Sequence, residues 1–552
     1  MIADIHITEK SFGDKTLMKD VKFSVDDGEK VGVVGRNGVG KSTLFGILSG
    51  KDTDYTGEVI FRRGITVATT AQEHHGLGDQ TVMSYILGGL PEYSKLKKII
   101  DEYPLTMGDN MRKIEEYTQA LERFDQKGFY QVEEKIEREL SNFQLDGFGN
   151  RKISSLSGGQ KRLVEIVKIM HSEAHLALID EPTNHMDYVA KQQFIDWMNS
   201  QPHQAMLIIT HDRDVLGQVD RIVEIKDGQA VSYRGNYDAY LKQNAQATTA
   251  GMNNFEQIEK RIVNLKQKVL DYQRLKEKSR NPGTIQKFKR LENEARAELE
   301  ELSEMEKPTF WIDKESASQL DYKSAERYGK FKSRNIRLSM KDASSRSQHV
   351  LVRAENVAVG IGERILFEDV NIDLREGEAI EIRGRNGAGK TTLIRMILAS
   401  GKSFDGGPVL YSGDIFLDPQ VRIGVYEQEI DEKYLADPLE KAIEKLYMSR
   451  DLSISDTKIR QLLADYLFTD ADRMTPLARL SGGQKARFQI IAMLANDPQL
   501  LVLDEPTNHL DLPSIEELET ALAKYSGAIL YVSHDNYFRE KLGGKVVQIG
   551  AE

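Results

Sequence analysis

The chain is 552 residues long, more than one hydrophobic core usually serves, so two or three domains are expected. It contains no Cys, which excludes disulfides and thiolate metal sites and fits a reducing cytosol. The formal charge of −11, taken whole, argues against nucleic acid as a partner. No apolar run reaches the roughly 18 residues of a spanning helix.

Met1–Thr8 lacks the basic and apolar regions of a secretion signal. The first strong element is the strand Lys30-Val-Gly-Val-Val34, which runs into Gly35-Arg-Asn-Gly-Val-Gly-Lys41-Ser42. A strand, a glycine-rich loop and a helix in that order make a phosphate cradle. Gly35, Asn37, Gly38 and Gly40 bring backbone amides to phosphate oxygens. Lys41 would reach the β- and γ-phosphates, Ser42 would ligate Mg²⁺, and Thr43 follows in the first helical turn. Further on come Leu156-Ser-Gly-Gly-Gln160 and the apolar run Leu176-Ala-Leu-Ile179, which ends in Asp180-Glu-Pro-Thr-Asn-His185. That run reads as a strand buried on both faces.

All three motifs return in the same order. The loop recurs as Gly384-Arg-Asn-Gly-Ala-Gly-Lys390-Thr391, with Asn386, Gly387, Gly389 and Thr392 in the matching places. The signature recurs as Leu480-Ser-Gly-Gly-Gln484, and the acidic string as Leu503-Asp-Glu-Pro-Thr-Asn-His509. One match is chance; three in order, twice, are two α/β cassettes. Asp180 and Asp504 would hold Mg²⁺. Glu181 and Glu505 would orient the attacking water. His211 in Thr210-His-Asp212 and His534 in Ser533-His-Asp535 would sense the γ-phosphate, and Gln72 and Gln428 would reach the metal or the water. Ser157, Gly158, Gly159 and Gln160, with Ser481, Gly482, Gly483 and Gln484, admit two readings. They are ordinary helix N-caps, or they form a second anion cradle serving the phosphate held by the other cassette.

The halves differ in length. Gln72 and Ser157 are 85 positions apart (157 − 72), against 53 (481 − 428) for Gln428 and Ser481. The extra residues fall at about 90–127. Tyr93, Leu96, Ile99 and Ile100 have helical spacing, a break follows at Pro104–Asp109, and Ile114, Tyr117, Leu121 and Phe124 resume it. This is a small helical arm.

Between the cassettes, Phe255, Ile258, Ile262, Leu265, Val269 and Tyr272 recur at alternating spacings of three and four, a coiled-coil seam. Ile285, Phe288, Leu291, Ala295, Leu299 and Leu302 form its return, so residues 255–307 are a helical hairpin with its tip at Ser279–Thr284. Lys260 to Arg290 holds eleven bases against Asp271 and Glu277, a local +9. Most of these bases are expected to lack a partner within the hairpin. Lys266, Lys268, Arg274, Lys276, Lys278, Arg280, Lys287, Lys289 and Arg290 are candidate RNA contacts; the alternative is a solvated helical face. Residues 309–348 are polar and read as the return path. The domains expected are 1–245, 246–349 and 350–552.

Together these motifs resemble the ABC-F family of ATP-binding cassette proteins over nearly the whole chain. The resemblance implies two tandem P-loop ATPase domains joined by a helical hairpin, acting without a membrane on the translating ribosome. It implies ATP and Mg²⁺ as cofactors and a monomer whose cassettes pair within the chain. The hairpin would lie at the ribosomal exit site, near the P-site tRNA, the 23S rRNA and the peptidyl transferase centre. The arm would lie by the L1 stalk or a nearby ribosomal protein. Each site would be composite: Lys41, Gln72, Asp180, Glu181 and His211 with Ser481 and Gly483, and Lys390, Gln428, Asp504, Glu505 and His534 with Ser157 and Gly159. Phe12, before Gly13-Asp14, fits the family's adenine-stacking aromatic, whereas Ile361 stands at the matching second place. The chain ends after the last cassette strand, without the basic extension of some relatives. A general translation factor is favoured over antibiotic resistance by ribosome protection because the tip is short. The ATPase subunit of a membrane transporter would not need the basic hairpin. A DNA-repair ATPase would carry a long coiled coil or zinc-binding Cys within its cassette.

Overall fold

A computed structural model describes all residues except 14, 71–78, 109, 185, 306–307, 309, 319, 321, 334, 339–348, 403–406, 428–429 and 551–552. Gln72 and Gln428 thus lie outside the described residues. Met1–Tyr237 with Ile336–Glu552 forms one compact unit, and Asp238–Asn335 forms a second.

In the first cassette a six-stranded sheet has the order Val67–Thr69, Leu176–Asp180, Ala205–Ile209, Lys30–Gly35, Arg221–Lys226, Gln229–Arg234. Its first five strands are parallel and the last is antiparallel. Leu176–Asp180 and Ala205–Ile209 are buried at every position, which explains their unbroken apolar text: helices cover both faces of a parallel sheet. The second cassette repeats the plan in five parallel strands, ordered Ile423–Tyr426, Leu500–Asp504, Ala528–Val532, Ala379–Arg383, Lys545–Gln548. A three-stranded antiparallel sheet accompanies each. In both, the phosphate loop leaves the carboxyl end of an inner strand, where open α/β sheets bind ligands.

The arm consists of helices Tyr93–Thr106 and Met111–Gln126. The expected break at Pro104 is displaced. Pro104 sits inside the last turn of the first helix, which ends only at Thr106. A proline there removes one backbone bond from a turn already about to end. Tyr93, Phe124 and Phe129 form an aromatic cluster with centroids 5.2 to 5.6 Å apart, tying the arm's base to the cassette.

The second unit starts earlier than the seam suggests. Its outgoing helix runs from Tyr237 to Lys278, 42 residues, and the returning helix spans Pro282–Glu304. The tip is therefore Ser279–Asn281, shorter than the sequence indicates. Asn281 caps the return by accepting the Gly283 amide at 2.9 Å, and Pro282 fits the first helical turn, where its missing N–H costs nothing. Leu265, Val269 and Ala295 are buried along the seam, and Tyr272 stacks on Phe288. Within the stretch read as a bare return path, Lys314–Ser318 and Tyr322–Phe331 are helical, and Ile312, Tyr328 and Phe331 bury themselves with Met252 of the outgoing helix. Ile336 already belongs to the core of the second cassette. The compact helical unit spans 238–335.

Ten of the eleven bases are exposed; Lys276 is half-buried. The charge count needs correcting, because acids of the returning helix lie beyond Arg290. Arg261 pairs with Glu298, Lys276 with Glu292 and Arg290 with Glu294. Lys260, Lys266, Lys268, Arg274, Lys278, Arg280, Lys287 and Lys289 have no carboxylate within 4.0 Å among the described residues.

Candidate active sites

Each phosphate loop is shaped by glycines that no other residue replaces easily. Gly38 and Gly40 take φ of 84° and 102°, and Gly387 and Gly389 take 79° and 100°, in the left-handed region. Lys41 begins the helix Lys41–Leu48, which carries Ser42 and Thr43; Lys390 begins Lys390–Leu398, which carries Thr391 and Thr392. The Lys41 ammonium donates to the Gly35 carbonyl at 2.6 Å, and Lys390 to that of Gly384 at 2.8 Å. Burial holds both ammonium groups below the ordinary lysine range, with the nearby acids opposing it in part.

Ser42 Oγ donates to Asp180 Oδ2 at 3.3 Å, and Thr391 Oγ1 to Asp504 Oδ2 at 2.7 Å. A hydroxyl facing one carboxylate beside a phosphate loop fits Mg²⁺, which takes few protein oxygens and completes its shell with water and phosphate.

Glu181 and Glu505 carry the strongest local signal. Both adopt left-handed backbone, φ 46° and 52°, which costs a non-glycine residue about 1–3 kcal/mol. Their amides donate to the carbonyls of Ile209 and Val532 on the neighbouring strands, which hold the turn. Burial pushes the Glu181 carboxyl up to about 8 and that of Glu505 to about 7, against the pull of Lys41 and Lys390. His211 Nε2 lies 3.4 Å from Glu181 Oε1, and His534 Nε2 lies 3.2 Å from Glu505 Oε1. Burial and the facing lysine push both imidazoles down to about 3, so they are neutral at physiological pH.

The two cassettes meet at these sites. Asn37 N–H donates to Asp511 Oδ2 at 3.1 Å, and its side-chain amide donates to the His509 carbonyl at 2.9 Å. Gly483 packs so close to Asn37 that an added Cβ would come within 2.0 Å of Nδ2. In the other direction, Asn386 N–H donates to Asp187 Oδ2 at 3.0 Å. Asp187 and Asp511 are two-ended: one oxygen caps its own helix, at Ala190 or Ser514, and the other reaches the opposite phosphate loop. Sequence reasoning missed both; the repeat of an Asp two places after each Asn-His was the available signal. His185, in that first string, lies outside the described residues. A cleft between the cassettes is lined by Glu181, His211, Glu505, His509 and His534.

Ser157 and Ser481 form full capping boxes. Each hydroxyl accepts the amide of Gln160 or Gln484 at 3.3 Å, and each glutamine side chain accepts the serine amide, at 3.0 and 2.9 Å. Gly158 and Gly482 open the two helices. The capping reading therefore describes the serines in this structure.

Phe12 is exposed, with Lys10 Nζ 4.7 Å from its ring centre. Ile361 is exposed at the matching place, and the Tyr411 hydroxyl donates to the Gly362 carbonyl, which sets an exposed aromatic beside that turn.

Comparison with known proteins agrees with this architecture. The ABC transporter family model matches residues 18–184 and 367–508, more than half of the chain. A putative ATP-binding protein, YdiF of Bacillus subtilis, is 30% identical across 100% of this chain and 80% of its own length. The chain belongs to the ABC-F family. It is an ATP-binding, ATP-hydrolysing protein with twin cassettes. Two further relatives of this ABC-F protein carry more telling names. The ribosome protection protein VmlR of Bacillus subtilis is 27% identical over 96% of this chain and 83% of its own. The energy-dependent translational throttle protein EttA of Mycobacterium tuberculosis is 27% identical over 96% and 88%. Among solved structures, an RNase-L inhibitor shares the fold, with a TM-score of 0.57 and 17% identity over 99% of this chain and 88% of that one. Among the described residues, no helix of this ABC-F chain is long and apolar enough to cross a membrane.

Proposed function

We propose that this ABC-F protein is an ATP-driven translation factor that binds the ribosome near its exit site and the P-site tRNA. The observation that carries this reading is the hairpin: eight exposed bases without a carboxylate partner, on a chain whose total charge is −11. Like charges at this density repel one another, and a phosphate surface relieves the repulsion while releasing counterions. The relatives named for a translational throttle and for ribosome protection support the same partner.

The chemistry proposed uses two composite sites. Lys41 with Ser481 and Gly483 holds one ATP; Lys390 with Ser157 and Gly159 holds the other. Glu181 and Glu505 orient and polarise the water that attacks the γ-phosphorus, and His211 and His534 register the γ-phosphate. Their neutral imidazoles donate without adding charge. Mg²⁺, when bound, would be held by Ser42 and Asp180, or Thr391 and Asp504, and would neutralise charge on the phosphates. Closing the cassettes on ATP favours the ribosome-bound state, and hydrolysis releases it. Resistance by ribosome protection is the second reading, supported by the VmlR similarity; the three-residue tip Ser279–Asn281 favours the general factor.

The test is co-sedimentation with ribosomes. The variant carrying Glu181→Gln and Glu505→Gln should retain ATP binding, lose nearly all turnover and pellet with ribosomes in ATP. Reversing Lys278, Arg280, Lys287 and Lys289 to Glu should weaken pelleting and flatten its salt dependence, since phosphate contacts carry a slope of roughly 0.7–0.9 each. Lys276 is left alone because Glu292 already holds it. A reversed protein that binds like the parent across a salt series overturns the RNA reading.

A further inference from the structure

The two ATP sites repeat in sequence but not in their support. Lys191 belongs to the first cassette, four residues beyond the capping Asp187, and is only 4% exposed. Its ammonium donates across the interface to the His534 carbonyl at 2.9 Å. It also pairs with Asp214 at 2.6 Å and with Asp212 at 3.3 Å. Asp214 in turn accepts the Asn536 side-chain amide at 2.7 Å, so the loop His534–Asn536 is gripped at both ends by the first cassette. The His534 amide donates to Glu505 Oε2 at 3.1 Å. One residue therefore stands between Lys191 and the Glu505 carboxylate.

The first site has no lysine in the matching place, although Arg213 of its own loop pairs across the interface with Glu519. Four residues beyond Asp511 the chain has Ile515, buried and apolar, where the first cassette has Lys191. An isoleucine donates no hydrogen bond, so this position gives the His211 carbonyl nothing of the kind. Both residues line the same cleft between the cassettes. Among the groups facing Lys191 are the carboxylates of Asp212 and Asp214, with Asp535 nearby, which keep it charged despite its burial.

We propose that Lys191 is a positioning residue for the second catalytic site, and that it makes the two sites kinetically unequal. By fixing the His534 backbone it orders Glu505, so the second site hydrolyses ATP faster than the first once the cassettes close. The proposal rests on reading Glu181 and Glu505 as the water-orienting residues.

Each site is read separately by silencing the other. In a Glu181→Gln background, single-turnover phosphate release reports the second site; in a Glu505→Gln background it reports the first. The second site should be the faster. Lys191→Met should lower the ratio of second-site to first-site rates by about tenfold or more, as misplacing a reacting group does. Lys191→Arg, which retains a long cationic donor, should recover much of that ratio. Lys191→Met removes the cation beside the half-buried Asp214, so Lys191→Met with Asp214→Asn serves as the second variant, and the ratio should stay low there. Equal slowing of both sites would overturn the proposal, because a general interface role moves them together. So would an unchanged ratio, or a ratio restored in the double variant, which would trace the effect to the stranded charge. Parental turnover in the doubly Gln-substituted protein is a separate result. It would remove the underlying assignment of the glutamates rather than the role of Lys191.

Discussion

At the scale of single residues, backbone strain and shifted acidity coincide at the two glutamates. Glu181 and Glu505 occupy left-handed backbone, and burial favours their neutral forms. Ser481 has a capping role in the structure and a phosphate-binding role in the proposed function, and the two can be separated. Its hydroxyl caps the helix Gly482–Leu494, and the neighbouring Gly483 touches the first phosphate loop. Aspartate caps helices as well as serine does, but it sets a negative charge where a γ-phosphate would lie. Ser481→Asp should leave the melting temperature close to that of the parent and slow single-turnover hydrolysis at the Lys41 site by tenfold or more. Hydrolysis at the parental rate would mean that the serine is only a cap. Much at this scale was legible: the loop glycines, Lys41, Asp180, Glu181 and their repeats carry dense motifs. Lys191 was not, because a lone Lys beyond a motif has meaning only once a second cassette faces it; Asp187 and Asp511 repeat in sequence, but the repeat does not say what they touch.

At the scale of elements, periodicity located the arm and the hairpin but misplaced the break within the arm and the start and tip of the hairpin. The outgoing helix starts at Tyr237, yet its first turns are rich in Ala, Gln, Asn and Thr and show no seam before Phe255. The acids that pair with Arg261 and Lys276 sit on the opposite helix, which a count along one window cannot reveal. Glu292 is the clearest of them. It is 5% exposed and accepts from Lys276 at 2.6 Å, Arg296 at 3.0 Å and Gln273 at 3.2 Å. The hydrogen bond from Lys276, helped by Arg296 and Gln273, outweighs burial and holds its carboxyl down to about 2, below the ordinary value of 4.5. A depressed carboxylate stabilises the folded state above its unfolded pKa and stops doing so as pH falls through the folded one. Glu292→Gln should therefore reduce amide-exchange protection across Tyr272–Leu299 at pH 7. The gap between parent and variant should narrow as pH drops from about 4.5 towards 2. A pH-independent gap would assign the effect to packing instead.

At the scale of the whole molecule, the proposed function requires a reversible meeting of two cassettes, and the interface contains a charge pair suited to that. Arg213 of the first cassette meets Glu519 of the second at 2.8 Å, with side-chain exposures of 7% and 5%. The partners are 306 residues apart in sequence, which is why no local pattern announces them. A buried pair of this kind adds little net stability over an apolar pair, because desolvation offsets the attraction. Removing one member is different: the survivor is left buried and unpaired, at about 3–5 kcal/mol. The molecule can escape that cost by opening, since separation returns Glu519 to water. Arg213→Met should thus weaken closure rather than the fold. In the doubly Gln-substituted background with ATP, small-angle scattering should show loss of the compact state, while the melting temperature without nucleotide stays close to that of the parent. Adding Glu519→Met removes the stranded charge and should restore much of the compaction. If Arg213→Met closes as fully as the parent, or if the second substitution deepens the defect, the pair acts by attraction or not at all.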